Sequence, residues 1–322
     1  MVQGRRGGKA ALICGSVAYD TILVFPDRFK AHILPDKIHI LNVAFLVPEM
    51  RREFGGCAAN IAYSLNLLGD FALPMAAAGD DFGPYCERLK SLGISVEHVK
   101  VVEGTFTAQA FITTDLDDNQ ITAFHPGAMQ HAHVNKVSDV AAEVALGIVA
   151  PDGRQAMLEH AAQFAAAKIP FIFDPGQGLP MFSGAELNRF IEQAAWVAVN
   201  DYEWGLLQQK TGLTAAEVAA QVEALIVTQG AEGSLIYTAG RMLRIPGVKP
   251  QAIVDPTGCG DAYRAGLIHG LLRGLDWEIT GRLASLMGSI KIEARGPQNH
   301  EFTRAEFRDR YRQSFGQVPE GI

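Results

Sequence analysis

From residue 145 onward the chain repeats one pattern: a short unbroken apolar run, then a stretch with helical period. The runs are LGIVA, IPFIFDP, WVAVND and ALIVTQG. Strands without polar alternation are buried on both faces, as in parallel sheets covered by helices. Between the runs the sequence predicts helices over 155–168, 184–195 and 201–211, and a weaker one over 214–222. This alternation predicts an α/β fold with a doubly wound, mostly parallel sheet flanked by helices. A strand at 10–15, AALICG, and helices over 58–69 and about 81–92 extend the plan. Gly69 and Gly93 close those helices. Ile61, Leu65 and Leu68 share one face of the first.

Two segments stand outside the alternation. Residues 20–54 are mostly extended and broken by prolines. Residues 105–125 read as two β runs, TFTAQAFITT and NQITAF, around DLDD, a hairpin signature. Together they predict a small β-sheet lid on a single domain spanning 1–322, with no internal repeat.

With 322 residues, 48% of them hydrophobic, the chain can bury a large core. A net charge of −7 without a basic patch argues against nucleic acid and anionic membranes as partners. No apolar run approaches the roughly 18 residues that span a bilayer. The basic, glycine-rich opening MVQGRRGGKA does not read as a signal peptide. Cys14, Cys57, Cys86 and Cys259 are scattered without a CxxC pair, which points to a reduced, cytoplasmic protein. His131 and His133 have no ligand set beside them. No GxxxxGK[ST] is present, and Asp81-Phe82-Gly83 lacks the partner motifs of a protein kinase.

Ligands of open parallel sheets bind beyond the carboxyl ends of the strands. There the sequence places Asp174, Asn200 and Thr228, with Ser16 and Asp20 after the first strand. Glu203 follows Asn200 at helical spacing. The pair is open to two readings: part of an indirectly held Mg²⁺ site, or a helix-start acid favoured by the dipole. DPTGCGDAYRAG, residues 255–266, is a glycine turn that runs into a helix. Gly258, Cys259 and Gly260 offer backbone N–H groups to an anion. A carboxylate there repels an anion, so Asp261 reads as a base for a hydroxyl that attacks phosphate, or else as a helix-cap acid favoured by the dipole alone.

These residues resemble the ribokinase-like (PfkB) family of ATP-dependent kinases. GGCAAN at 55–60 and DPTGCGDAYRAG are similar to its two signatures, in the same order. NDYE, TQGAEGS and GDDFG (79–83) resemble further family elements. Pro256, Cys259 and Tyr263 depart from the usual residues. Within the family, MRREFGGCAANIAYSLNLLG, ITTDLDDNQITAFHPGAM and ASLMGSIKIEARGPQNH look like bacterial adenosine or nucleoside kinases.

The resemblance implies transfer of phosphate from ATP, with Mg²⁺, to the 5′-hydroxyl of a purine nucleoside such as adenosine. Asp261 would be the base and Gly258, Cys259 and Gly260 the anion hole. Asp20, Gly56 and Asn60 would hold ribose hydroxyls, with Ser16, Gly55, Cys57, Gln109 and Phe124 completing the substrate side. Asn200, Thr228, Gly230, Gly233, Thr257 and Lys291 would serve ATP. Glu203 and Asp174 would meet Mg²⁺ through water. Asp255, with backbone around 293–298, would hold a monovalent cation such as K⁺, as in some relatives. A homodimer through the lid is a further expectation. Two alternatives stay open: a ribose or fructose kinase of the same fold, and a non-catalytic nucleotide-binding protein.

Overall fold

The computed structural model describes residues 10–33, 40, 42–117 and 119–320. Most of the basic opening and part of the extended stretch (34–39 and 41) lie outside the described residues. In chain order the first half holds β1 (Ala10–Cys14), β2 (Ala18–Val24), a single turn α1 (Phe29–His32), β3 (Glu49–Gly55), α2 (Cys57–Leu67), β4 (Ala72–Ala78), α3 (Gly83–Ser91), β5 (Val99–Val101), β6 (Ala108–Thr114) and β7 (Gln120–His125). The second half holds β8 (Val144–Val149), α4 (Arg154–Ala167), β9 (Phe171–Phe173), α5 (Gly184–Gln193), β10 (Trp196–Asn200), α6 (Asp201–Thr211), α7 (Ala215–Ala219), β11 (Ala224–Thr228), β12 (Ser234–Thr238), β13 (Arg241–Ile245), α8 (Cys259–Leu272), α9 (Trp277–Ile292) and α10 (Arg304–Phe315).

The main sheet has the order β13-β12-β11-β10-β9-β8-β1-β4-β5. It is parallel from β5 to β11; β12 and β13 close one edge antiparallel. Strand β1 shows why the chain takes two helical layers. Ala11 and Ile13 enter one core, with Ile61 and Leu65 of α2 and Leu267 and Ile268 of α8. Leu12 and Cys14 enter the other, with Met157 and Phe164 of α4 and Phe190 of α5. Side chains of a strand alternate, so an unbroken apolar run feeds both layers. Truncating a fully buried member such as Ile61 to alanine typically costs about 2–5 kcal/mol.

The order of the parallel strands reverses at β1, which has β8 on one side and β4 on the other. A crevice opens at such a point, outside the carboxyl ends. The second sheet, β3-β2-β6-β7, stands beside it as a lid. Its register puts Asp20, Glu53, Ala110 and Phe124 in one row. The neighbouring row, Tyr19, Phe54, Gln109 and His125, points to the opposite face.

The GDDFG segment ties the lid to the main sheet. The Asp80 amide donates to the Thr105 carbonyl (2.9 Å). Asp81 Oδ1 accepts from the Thr107 amide (2.7 Å), and the Asp81 carbonyl accepts from Tyr19 Oη (3.0 Å). Among the described residues no helix is long and apolar enough to cross a membrane.

Candidate active site

The two glycine motifs meet although they are far apart in sequence. Asn60 Nδ2, in the second turn of α2, donates to Asp261 Oδ2 in the first turn of α8 (2.8 Å). Gln298 Nε2 donates to Asn60 Oδ1 (2.9 Å) and to Tyr85 Oη (2.6 Å), and Tyr85 Oη donates to the Gly55 carbonyl (2.7 Å). A chain of hydrogen bonds thus runs from the last residues of lid strand β3 to Asp261. Asn60 was expected against ribose; both ends of its amide are instead engaged inside the protein, orienting Asp261.

Asp261 sits among opposing influences. Burial pushes its carboxyl up to about 7, the Asn60 hydrogen bond opposes this, Asp174 raises it further, and Arg264 lowers it. The Cys57 thiol lies beside it and stabilises the charged form. A base poised near neutrality suits proton abstraction.

Gly258 opens the turn with φ +79°, and a Cβ there would stand 2.7 Å from Pro297 Cβ. Glycine is required on both counts. One expected anion contact differs: the Cys259 amide is turned back onto the Pro256 carbonyl (3.1 Å). The cradle therefore falls to the amides of Gly258 and Gly260 and to the positive end of α8.

On the lid side, Asp20 accepts no hydrogen bond among the described residues, and its carboxyl is pushed up to about 6 by burial, then by Glu53 and Asp255. Gly55 is shaped around it, since a Cβ would stand 2.5 Å from Asp20 Oδ2. Gly56 (φ +91°) must also be glycine, since a Cβ there would stand 2.6 Å from the Ser16 carbonyl oxygen. Ser16, expected against substrate, accepts from the Cys57 amide through Oγ (3.2 Å) and holds that turn. Phe124 is half-exposed in the same row as Asp20. Gln109 departs from expectation: it faces the other side of the lid, where Nε2 donates to Thr21 Oγ1 (3.0 Å).

Asn200 and Glu203 form a reciprocal cap on α6. The Glu203 amide donates to Asn200 Oδ1 (2.7 Å) and the Asn200 amide to Glu203 Oε2 (2.8 Å). Burial, then Asp174, raises the Glu203 carboxyl above its ordinary value. Asp174 is committed elsewhere: both its oxygens accept from Arg264, each at 3.1 Å, in a buried bidentate pair. Sequence reading missed Arg264, which lies three residues after Asp261 and has no local signal. Only Glu203 Oε1 is left for a metal, and no cluster of three or more His, Cys, Asp or Glu side chains exists among the described residues. That donor set fits a largely hydrated Mg²⁺ arriving with a nucleotide and not a resident ion.

Thr228 and Gly230 begin the loop after β11, and nothing lies within 4 Å of a Cβ built on Gly230. Gly233 returns that loop, accepting from the Gln229 amide (2.8 Å). Thr257 is exposed beside the anion turn. Lys291 is not: it is fully buried, and Nζ points away from the crevice at the carbonyls of Asp255 (2.7 Å) and Ala294 (3.0 Å). The Asp255 carboxylate accepts from the amides of Thr257 (2.9 Å) and Gly296 (2.8 Å). The residues expected to hold K⁺ are thus already satisfied by groups of the chain and do not fit a free cation.

The sequence profile described as "pfkB family carbohydrate kinase" matches residues 22–304. The chain belongs to this family. Among curated relatives, this pfkB-family chain is 33% identical over 261 residues to a nucleoside kinase of Methanocaldococcus jannaschii, covering 80% of the chain and 85% of the relative. The structure of Burkholderia thailandensis nucleoside kinase in complex with inosine superposes with a TM-score of 0.88 at 52% identity, covering 96% of this chain and 100% of that one. The same enzyme's complex with ADP-inosine gives 0.86 at 54%, covering 97% and 98%.

Proposed function

We propose that the protein is an ATP-dependent nucleoside kinase that phosphorylates the 5′-hydroxyl of a purine nucleoside such as adenosine or inosine. The observation that carries this is a pair of buried carboxylates on two elements: Asp20 on lid strand β2, without a hydrogen-bond partner among the described residues, and Asp261 at the anion turn, with a pKa near 7. Asp20 accepts from the vicinal ribose hydroxyls. Phe124, in its row, offers the base an apolar contact. The similarity to a nucleoside kinase whose structure is in complex with inosine supports a nucleoside over a free sugar.

In the reaction, Asp261 takes the proton of the 5′-hydroxyl while that oxygen forms its bond to the γ-phosphorus. The bond from phosphorus to the bridging oxygen breaks and ADP leaves. Asn60 holds Oδ2, which leaves Oδ1 for the hydroxyl. The amides of Gly258 and Gly260 face the transferred phosphoryl oxygens. Glu203 would help hold a hydrated Mg²⁺, which would supply charge neutralisation for the phosphates. The face of the lid opposite Asp20 carries exposed Phe111, Ile121 and Met50, which supports pairing of two lids in a homodimer. Sedimentation at the mass of one 34.7 kDa chain would argue against that.

The test is ADP release from ATP and Mg²⁺ with adenosine, inosine, guanosine, cytidine, ribose and fructose. Purine nucleosides are expected to be turned over best. A 2′-deoxynucleoside leaves part of Asp20 unpaired and should lose at least about tenfold in kcat/KM. Preference for ribose or fructose would make this a sugar kinase.

A further inference from the structure

The two segments that frame the anion turn are joined by a lysine. Lys291 extends from the last turn of α9, and its ammonium donates to the carbonyls of Asp255 and Ala294 at 2.7 and 3.0 Å. Asp255 belongs to the segment that leads into the turn. Ala294 begins the segment that packs behind it, where Pro297 would meet a Cβ on Gly258 at 2.7 Å and Lys291 Cε would meet it at 3.8 Å. The Asp255 carboxylate bonds the same two segments through Thr257 and Gly296. Converging backbone carbonyls that replace water are a usual way to hold a bare monovalent cation. Here they converge on a cation that the chain carries itself.

The surroundings of the ammonium offset part of the cost of burying its charge. Burial lowers the Lys291 pKa, but Cys259, Asp255 and Glu53 all act in the other direction. A point charge on a flexible stem can take a small ion's place where a guanidinium cannot.

We propose that the Lys291 ammonium is a built-in monovalent cation: it clamps 255–257 to 294–297 behind Gly258, supplies positive charge under the anion turn, and makes phosphoryl transfer independent of free K⁺. This rests on the kinase reading above. Lys291 is a positioning residue in this scheme and does not touch substrate.

The experiment compares the wild type with Lys291→Ala and Lys291→Gln in tetramethylammonium, sodium, potassium and ammonium chlorides at fixed ionic strength. Wild-type kcat and KM for ATP should agree within about twofold across the salts. Lys291→Ala in tetramethylammonium should lose about tenfold or more in kcat/KM for ATP, and K⁺ or NH₄⁺ should restore most of it along a saturable curve. Lys291→Gln keeps N–H donors for both carbonyls without the charge, and should remain impaired in tetramethylammonium. Severalfold activation of the wild type by K⁺ overturns the inference. So does full activity of either variant without K⁺.

Thermal unfolding gives a readout independent of turnover. Replacing tetramethylammonium by K⁺ should raise the Tm of Lys291→Ala by about 2 °C or more and leave the wild type unmoved. Equal responses overturn the inference. A wild type that phosphorylates no nucleoside in any salt refutes the kinase reading, and the thermal comparison still decides the role of the lysine.

Discussion

As the proposed base, Asp261 must be ionised to accept a proton, yet burial holds its carboxyl near 7. In the free enzyme kcat/KM should therefore rise with pH along a limb centred near 7, since that ratio reports the free enzyme's essential base. Asp20, at about 6, loses its proton on the same limb, so the acid side should be steeper than one proton alone allows. Asp261→Asn preserves shape and removes the base. It should lower kcat by about 10²–10⁴ with nucleoside binding little changed. Steady-state kinetics over a pH series checks both, and near-normal turnover of the variant would remove Asp261 from the chemistry. Asp261 and Gly258 were legible in the sequence because a glycine turn entering a helix is a local arrangement. The partners of Arg264 and Gln298 were not, since they lie 90 and 238 residues away. Lys291, which the family resemblance places with ATP, bonds the Asp255 and Ala294 carbonyls instead; its direction is set by the packing of α9.

At the scale of elements, the proposed mechanism gives the lid the task of keeping water from the site. An anion turn with its base open to solvent would hydrolyse ATP unless the acceptor completes it. Strand β7 is exposed along its whole length, so its amides report closure readily. Nucleoside binding should slow hydrogen exchange across β6 and β7, with or without ATP. ATPase activity without nucleoside should stay at or below about 1% of kcat, a coupling of ~2.7 kcal/mol. Unchanged exchange on adding nucleoside would place water exclusion elsewhere. The lid hairpin and the parallel strands β8 to β11 were legible from their apolar runs and turns. Strand β4 was not, because Pro74 lies inside a strand between two neighbours and alanines dominate it. The edge hairpin β12–β13 mixes Arg241 and Arg244 into half-buried strands. Helix α9 is buried on nearly every side and shows no amphipathic stripe.

The whole molecule carries a tension between site and stability. Burial raises the carboxyls of Asp152 to about 8, Asp261 to about 7 and Asp20 to about 6. A raised pKa in the folded state gives stability that is full below the unfolded value and is lost as pH rises through the folded value. Burial lowers His160 to about 4 and His300 to about 3, which gives stability lost as pH falls below about 6.5. The two sets oppose each other in acid, and between about pH 6.5 and 8 the carboxylates outweigh the histidines. The ligand-free protein should therefore lose about 2 kcal/mol over that window, a fall of a few degrees in Tm. Asp152→Asn should flatten the fall; a Tm rising from pH 6.5 to 8 would contradict it.

The Asn60–Asp261 hydrogen bond joins residues 201 apart, and Gln298 reaches back 238 residues to brace it. Synthesis runs from the amino end, and folding follows it. The growing polypeptide thus exposes Asn60 first, gains Asp261 much later, and can align the two only after Gln298 has left the ribosome. By connectivity alone, the nascent chain lacks a braced Asn60–Asp261 pair until its last residues are made. A ribosome that stalls short of Gln298 leaves a product that holds Asn60 and Asp261 but not the side chain that braces them.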